Sequence, residues 1–159
     1  MESTEKYKQI ILNAIKYGAD ADGKIDETKL AHLMYLVDFT WYYENLSSMS
    51  GVEYRKLSRV PVADVYFHAL DELEASGTII REVKKSTVFF SLIGSEAPNN
   101  SLSDDELIFI EKIGKAWRGK STEEIVNFTH KQLPLQICKD NEIIPHGLIT
   151  QEEPEQVYL

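Results

Sequence analysis

Apolar residues recur along the chain at spacings that alternate between three and one, the period of a helix buried on one side. From Ser3 to Tyr17 they fall at Tyr7, Ile10, Ile11, Ala14 and Ile15, and the pattern stops at Gly18. A second helix is predicted over Glu27 to Leu46, with Asp26 as its N-cap and Leu30, Leu33, Met34, Val37 and Trp41 as its buried stripe. Its apolar and aromatic content marks it as the central core helix. A third is predicted over Val62 to Ser76, stepping through Val65, Tyr66, Ala69, Leu70 and Leu73 to a C-capping Gly77. Two β-rich runs, "TIIREV" and "STVFFSLI", then flank Lys84 and Lys85 as an antiparallel hairpin. Beyond the polar linker "GSEAPNNS", Ser103 with Glu106 and Ser121 with Glu124 have the spacing of capping boxes and open a fourth and a fifth helix, the last closing near His130.

These elements predict an α+β fold, mainly helical, of about five helices and one small antiparallel β-hairpin. The order of helix, loop, helix and hairpin is that of a winged helix. Residues 1–150 are expected to form one domain, and the acidic, proline-containing end "QEEPEQVYL", 151–159, a flexible tail. At 159 residues, 43% of them hydrophobic, the chain can support one core. No stretch is long and apolar enough for a signal peptide or a membrane span, which predicts a cytoplasmic protein. The lone Cys138 excludes an internal disulfide and a thiolate zinc cage, and is expected beside a buried patch.

Charge changes the picture. The net charge of −9 opposes binding to a polyanion, and the third helix, which would enter a DNA groove in a winged-helix reader, exposes Asp64, His68, Asp71, Glu72 and Glu74 with no Lys or Arg from Val62 to Ser76. Nucleic acid is therefore an unfavoured partner. The segment Gly18 to Lys29 has Asp20, Asp22, Gly23, Ile25 and Asp26 in the register of a calcium loop, but Gly18 and Lys29 stand at the first and twelfth ligand positions, where carboxylates are required. It reads instead as a turn at Asp22-Gly23. The chain has no phosphate loop, nucleophile elbow or paired metal ligands at motif spacing, and His32, His68, His130 and His146 are far apart in sequence. No catalytic residue, cofactor or metal ligand is assigned.

Three ordered blocks carry a resemblance. "TKLAHLMYLVDFTWYY" supplies Lys29, Leu30 and Tyr35; "SGVEYRKLSRVPVADVYFHALDELEASGTI" supplies Gly51, Tyr54, Pro61 and Val62; "STEEIVNFTHKQLP" ends on Thr129 and His130. Over Lys29 to Pro134 the chain resembles the Panacea domain, the family of SocA-like antitoxins. Val60 and Ala63 stand where the family has a glycine and often a proline, and Leu135 replaces a tryptophan frequently found after Thr-His. The resemblance implies a non-enzymatic protein that binds a cognate toxin protein, either neutralising it directly or, like some members, delivering it to a protease.

Ser47 to Pro61 is expected to be an irregular polar loop held on a rigid scaffold. Its Tyr54, Arg55, Lys56, Arg59 and Pro61, together with His130, form the candidate partner-binding set, since Arg and Tyr are favoured at protein interfaces. The same residues admit a plainer reading, in which Tyr54 is core, the three cations solvate a loop and His130 caps a helix. Two further functional classes stand beside the antitoxin: a winged-helix DNA regulator reading through the basic residues of the Arg55 to Arg59 loop, Arg55, Lys56 and Arg59, and through Arg81, Lys84 and Lys85 of the hairpin, and an orphan, phage-borne interaction module.

Overall fold

Asp26 ends one short strand and opens the helix around which the protein is built. In the computed structural model, which describes residues 2–159, the Asp26 carboxylate accepts the backbone N–H of Lys29 at 2.8 Å and caps α2, Glu27–Asn45. A one-sided stripe is predicted for α2. Instead every residue from Lys29 to Thr40 is buried, because α1 (Glu2–Gly18), α4 (Asp104–Trp117), α5 (Thr122–His130) and two small sheets enclose it. Lys29 is accommodated in this interior by donating from Nζ to the Lys120 carbonyl at 2.6 Å.

The first sheet has the order β1-β5-β4, formed by Ile25–Asp26, Thr87–Leu92 and Ile79–Lys84. With α1, α2 and α3 (Tyr66–Ala75) it gives the winged-helix order, including the short strand on the outer side of the hairpin. The hairpin turns at Lys85 and Ser86, with φ of 50° and 70°.

The predicted irregular loop is instead a second hairpin. β2 (Tyr54–Leu57) pairs with β3 (Val60–Ala63), and β6 (Ile143–Ile144) adds on the other side in the order β3-β2-β6. Two features conceal it in the sequence. Its tight turn is Ser58-Arg59, at φ of 49° and 72°, without the Asn or Gly that usually marks such a turn. Its outer strand also contains Pro61. The proline is tolerated because Leu57 and Val60 close the turn, so the next pair, Lys56 with Pro61, is a non-hydrogen-bonded one and the missing N–H faces the free edge. α3 consequently begins at Tyr66, four residues later than predicted, because Val62 and Ala63 are already in β3.

Both capping boxes form, with Ser103 and Glu106 opening α4 and Ser121 and Glu124 opening α5. The expected total of about five helices and one hairpin falls short. Among the described residues there are seven α-helices, including α6 (Leu133–Ile137) and α7 (Pro154–Val157), a 3₁₀ segment at His146–Gln151, and two three-stranded sheets. The polar linker is pinned to α1, where Gln9 bonds Asn100 and Ser101 and Asn13 donates to the Pro98 carbonyl. The last nine residues, expected to be flexible, are docked. Val157 is buried, the Gln132 amide donates to the Gln156 carbonyl, and the Tyr158 hydroxyl bonds Glu44. No helix among the described residues is long and apolar enough to cross a membrane.

Helices α1 and α4 meet at two glycines. A Cβ on Gly114 would stand 2.8 Å from Cβ of Tyr17 and 3.2 Å from the Gly18 nitrogen, neither of them a flexible group. Alanine would gain about 1 kcal/mol of helix propensity, but overpacking costs about 1–3 kcal/mol and must move a whole helix. Gly114→Ala is expected to lower the melting temperature by about 3–6 °C in a thermal scan. An unchanged or higher value would show that the helices separate without cost.

Candidate protein-binding surface

Alternation along β2 sends its residues to different places. Tyr54 points inward, 0% exposed, with its hydroxyl donating to Oδ2 of the buried Asp38 at 2.7 Å and lying 3.1 Å from the Met34 carbonyl. Burial and the adjacent Asp38 charge push the phenol well above its ordinary pKa. Asp38 also accepts the N–H and hydroxyl of Ser50 at 3.0 and 2.6 Å. The segment before β2 is thereby tied to α2. Tyr54 and Pro61 are thus core residues: one carries the hydroxyl that satisfies Asp38, and the other is covered in β3.

Arg55 lies on the opposite face from Tyr54. Its guanidinium donates to the Asn141 carbonyl at 2.8 Å and sits 3.5 Å from Asp64, so it is occupied in joining β2 to the segment before β6. Lys56 bonds the Leu135 and Cys138 carbonyls, both at 2.8 Å, which places a cation at the end of α6 where carbonyls lack helical partners. Arg59 is held through its backbone. Its N–H donates to Asp140 at 2.9 Å, and its carbonyl lies 2.8 Å from Nε2 of His130. A carbonyl can only accept, so His130 carries its proton on Nε2. The Arg59 guanidinium is exposed and has no hydrogen-bond or ion-pair partner among the described residues.

Lys56, Arg59 and His130 therefore converge, although His130 is 71 positions from Arg59. With Leu135 and Gln136 they line a recess of about 210 Å³ between the hairpin turn and the α5–α6 corner. Leu135, in the place of the family's tryptophan, is buried in its wall. Behind His130 lies His32, with ring centres 5.9 Å apart. His32 is fully buried and donates from Nδ1 to the Thr28 carbonyl at 2.8 Å, and burial holds its pKa down from 6.5 to about 4.

The regulator's basic residues do not gather on one face. Arg81 turns back onto the acidic α3, contacting Asp71 at 2.7 Å and Glu74 at 2.9 Å, and Lys84 lies near Glu82. In the calcium-loop-like segment, Lys29 puts its own ammonium 3.5 Å from Asp20, and Asp22 is used by the turn, accepting the Lys24 N–H. Among the described residues no three His, Cys, Asp or Glu side chains are grouped to hold a metal ion.

Sequence reasoning missed Gln136, which lines the recess, and the apolar Leu57, Val60 and Phe67 on the far side of the hairpin. No apolar–polar alternation marks β2, whose Tyr-Arg-Lys-Leu sets two cations between two apolar residues, and Pro61 in its partner strand hides the pairing. The family model "Antitoxin SocA-like, Panacea domain" matches residues 30–134. No curated protein and no solved structure matches the chain.

Proposed function

Because the chain belongs to the antitoxin SocA-like Panacea family, we propose that it is the antitoxin of a toxin–antitoxin pair, acting in the cytosol by binding its cognate toxin. Binding neutralises the toxin directly or delivers it to a protease. The observation that carries this reading at the site is the convergence of Lys56, Arg59 and His130 around one recess, on a hairpin turn anchored at both sides. A turn held in this way presents its exposed Arg59 with little further ordering cost, the property that makes a small contact set effective. The role is taken as non-catalytic, as the family implies: Lys56, His130 and Gln136 at the recess are bonded to backbone carbonyls, which leaves the Arg59 guanidinium as the free polar group there.

The test is co-expression with the product of the adjacent gene, in a host whose growth that product arrests. Restored growth and a stable complex are expected. A neighbour that is toxic and is neither neutralised nor bound removes the reading for that pair.

The winged-helix order favours a second reading, a DNA-binding regulator. Against it, the helix in the groove-reading position is acidic, and Arg81, the wing cation nearest to it, is neutralised by that helix. The protein should give no mobility shift with its own promoter DNA even at low salt. A shift that weakens steeply as salt rises would reverse this preference.

A further inference from the structure

The Ser58-Arg59 turn has two faces, and only one is the basic recess. On the other, Ala31, Leu57, Val60, Val62, Tyr66 and Phe67, together with the polar Glu27, Thr28 and Ser58, line a mainly apolar groove of about 250 Å³ between the hairpin and the starts of α2 and α3. Phe67 is 49% exposed, an unusual position for a phenylalanine, and its ring is held edge-on to Tyr66 with centres 5.2 Å apart. The apolar part of the groove is therefore built mainly from aromatic and branched residues on the hairpin and α3, with α2 closing its side.

Charge states what lies beside it. Of the 17 Lys and Arg, nine form ion pairs with carboxylates among the described residues. The remaining eight include Lys56 and Arg59, both of which line the recess, and Lys131 and Lys139, next in sequence to His130 and to Cys138; the other four, Lys85, Lys112, Arg118 and Lys120, lie elsewhere in the chain. The two nearest acids, Asp140 and Glu142, are engaged by the backbone N–H groups of Arg59 and Lys139. On a chain with a net charge of −9, Lys56 and Arg59, neither of them in an ion pair, make the recess locally complementary to an acid, with the Arg59 guanidinium the free group.

We propose that the hairpin tip docks a partner segment in which a bulky apolar side chain is followed closely by a carboxylate. The apolar side chain fills the groove against Phe67, and the carboxylate meets the fork of Arg59 at the mouth of the recess, where a planar guanidinium accepts it in bidentate fashion. This rests on the antitoxin reading and states the partner chemistry that reading lacks. The energetics follow from the two faces: burial against Phe67 supplies most of the affinity, while Arg59 selects acidic over basic sequences.

Random peptides displayed on phage would be selected against the full chain, with Arg59→Glu and Phe67→Ala as parallel baits. Both substitutions are at exposed positions, and circular dichroism would confirm that each variant is folded. Enriched peptides should join Leu, Ile, Phe or Met to a nearby Asp or Glu. Measured by fluorescence anisotropy, such a peptide should lose about tenfold or more in affinity for either variant, while Arg59→Lys should retain part of the binding. Absence of enrichment on the wild type, enrichment of basic peptides, or binding indifferent to both substitutions overturns the proposal. Toxin rescue by both variants would leave the antitoxin reading standing and remove this surface. Selection of the motif by a chain that neutralises no toxin would do the reverse.

Discussion

Replacing Asp38 by alanine should cost the fold about 3 kcal/mol. Four donors converge on this one buried carboxylate, the Tyr54 hydroxyl at 2.7 Å, the Ser50 hydroxyl and N–H at 2.6 and 3.0 Å, and the Ser48 hydroxyl at a longer 3.4 Å. Alanine leaves the Ser50 N–H and hydroxyl without this acceptor in a region closed to solvent, and leaves the Tyr54 hydroxyl only the Met34 carbonyl at 3.1 Å, at about 1–3 kcal/mol for each group that finds no other partner. Relief from burying the charge and reorientation of the hydroxyls offset part of that sum. Asp38→Asn keeps one oxygen and should lose less. Tyr54→Phe removes only one of these donors and should cost about 2 kcal/mol. Urea unfolding of the three variants tests the order Ala, Asn, wild type. The same variants separate core from interface: if Tyr54 holds the network and touches no partner, Tyr54→Phe lowers stability without weakening the complex. A loss of partner affinity at unchanged stability would place Tyr54 at the interface instead.

Acidification from neutral pH to pH 4 should remove about 3 kcal/mol of stability through His32 alone. The folded chain keeps this imidazole neutral until about pH 4, whereas the unfolded chain protonates it near the ordinary 6.5. Between those values the unfolded state binds the extra proton, so stability rises with pH across the window, is complete above it and is fully lost below it. The difference in pKa, at about 1.4 kcal/mol per unit, sets the size. His146, also lowered by burial, acts in the same direction. The carboxylates of Glu72, Glu82 and Glu124 are held below their ordinary 4.5 by hydrogen bonds and ion pairs, so their stabilisation is lost at lower pH and does not mimic the histidine window. His32→Gln should flatten the curve of unfolding free energy against pH between 6.5 and 4. Parallel curves for variant and wild type would show that His32 takes up its proton without unfolding.

Those two sites mark where sequence reading stops. Nothing adjacent to Asp38 in the chain distinguishes it from a solvent-facing acid on a long helix. Its partners come from a segment beginning at Ser48 that folds back only because the β2–β3 hairpin anchors it. His32 likewise sits at a helical position whose burial depends on α5, a hundred residues downstream in the chain. Three of the six candidate contact residues, Lys56, Arg59 and His130, meet at one recess, while Tyr54 and Pro61 are core and Arg55 is tied to the chain's own carbonyl and carboxylate.

By itself the amino-acid sequence determined what depends on neighbours within about four residues: the period of α1, the Asp26 cap, the two capping boxes, the β4–β5 hairpin, and the acidic face of α3 that argues against DNA. It also carried the ordered blocks that mark the family. Tertiary structure alone decided which residues of α2 are buried, because a central helix is covered from every side and no stripe in its own pattern shows it. It decided that Gly18 and Gly114 face one another, that Pro61 sits with its missing donor at a free edge, and that the last nine residues dock. It also decided that the cations of β2 and the end of α5 frame one recess. All of these are contacts between segments distant in sequence, whose free energy exists only once the intervening chain has been ordered.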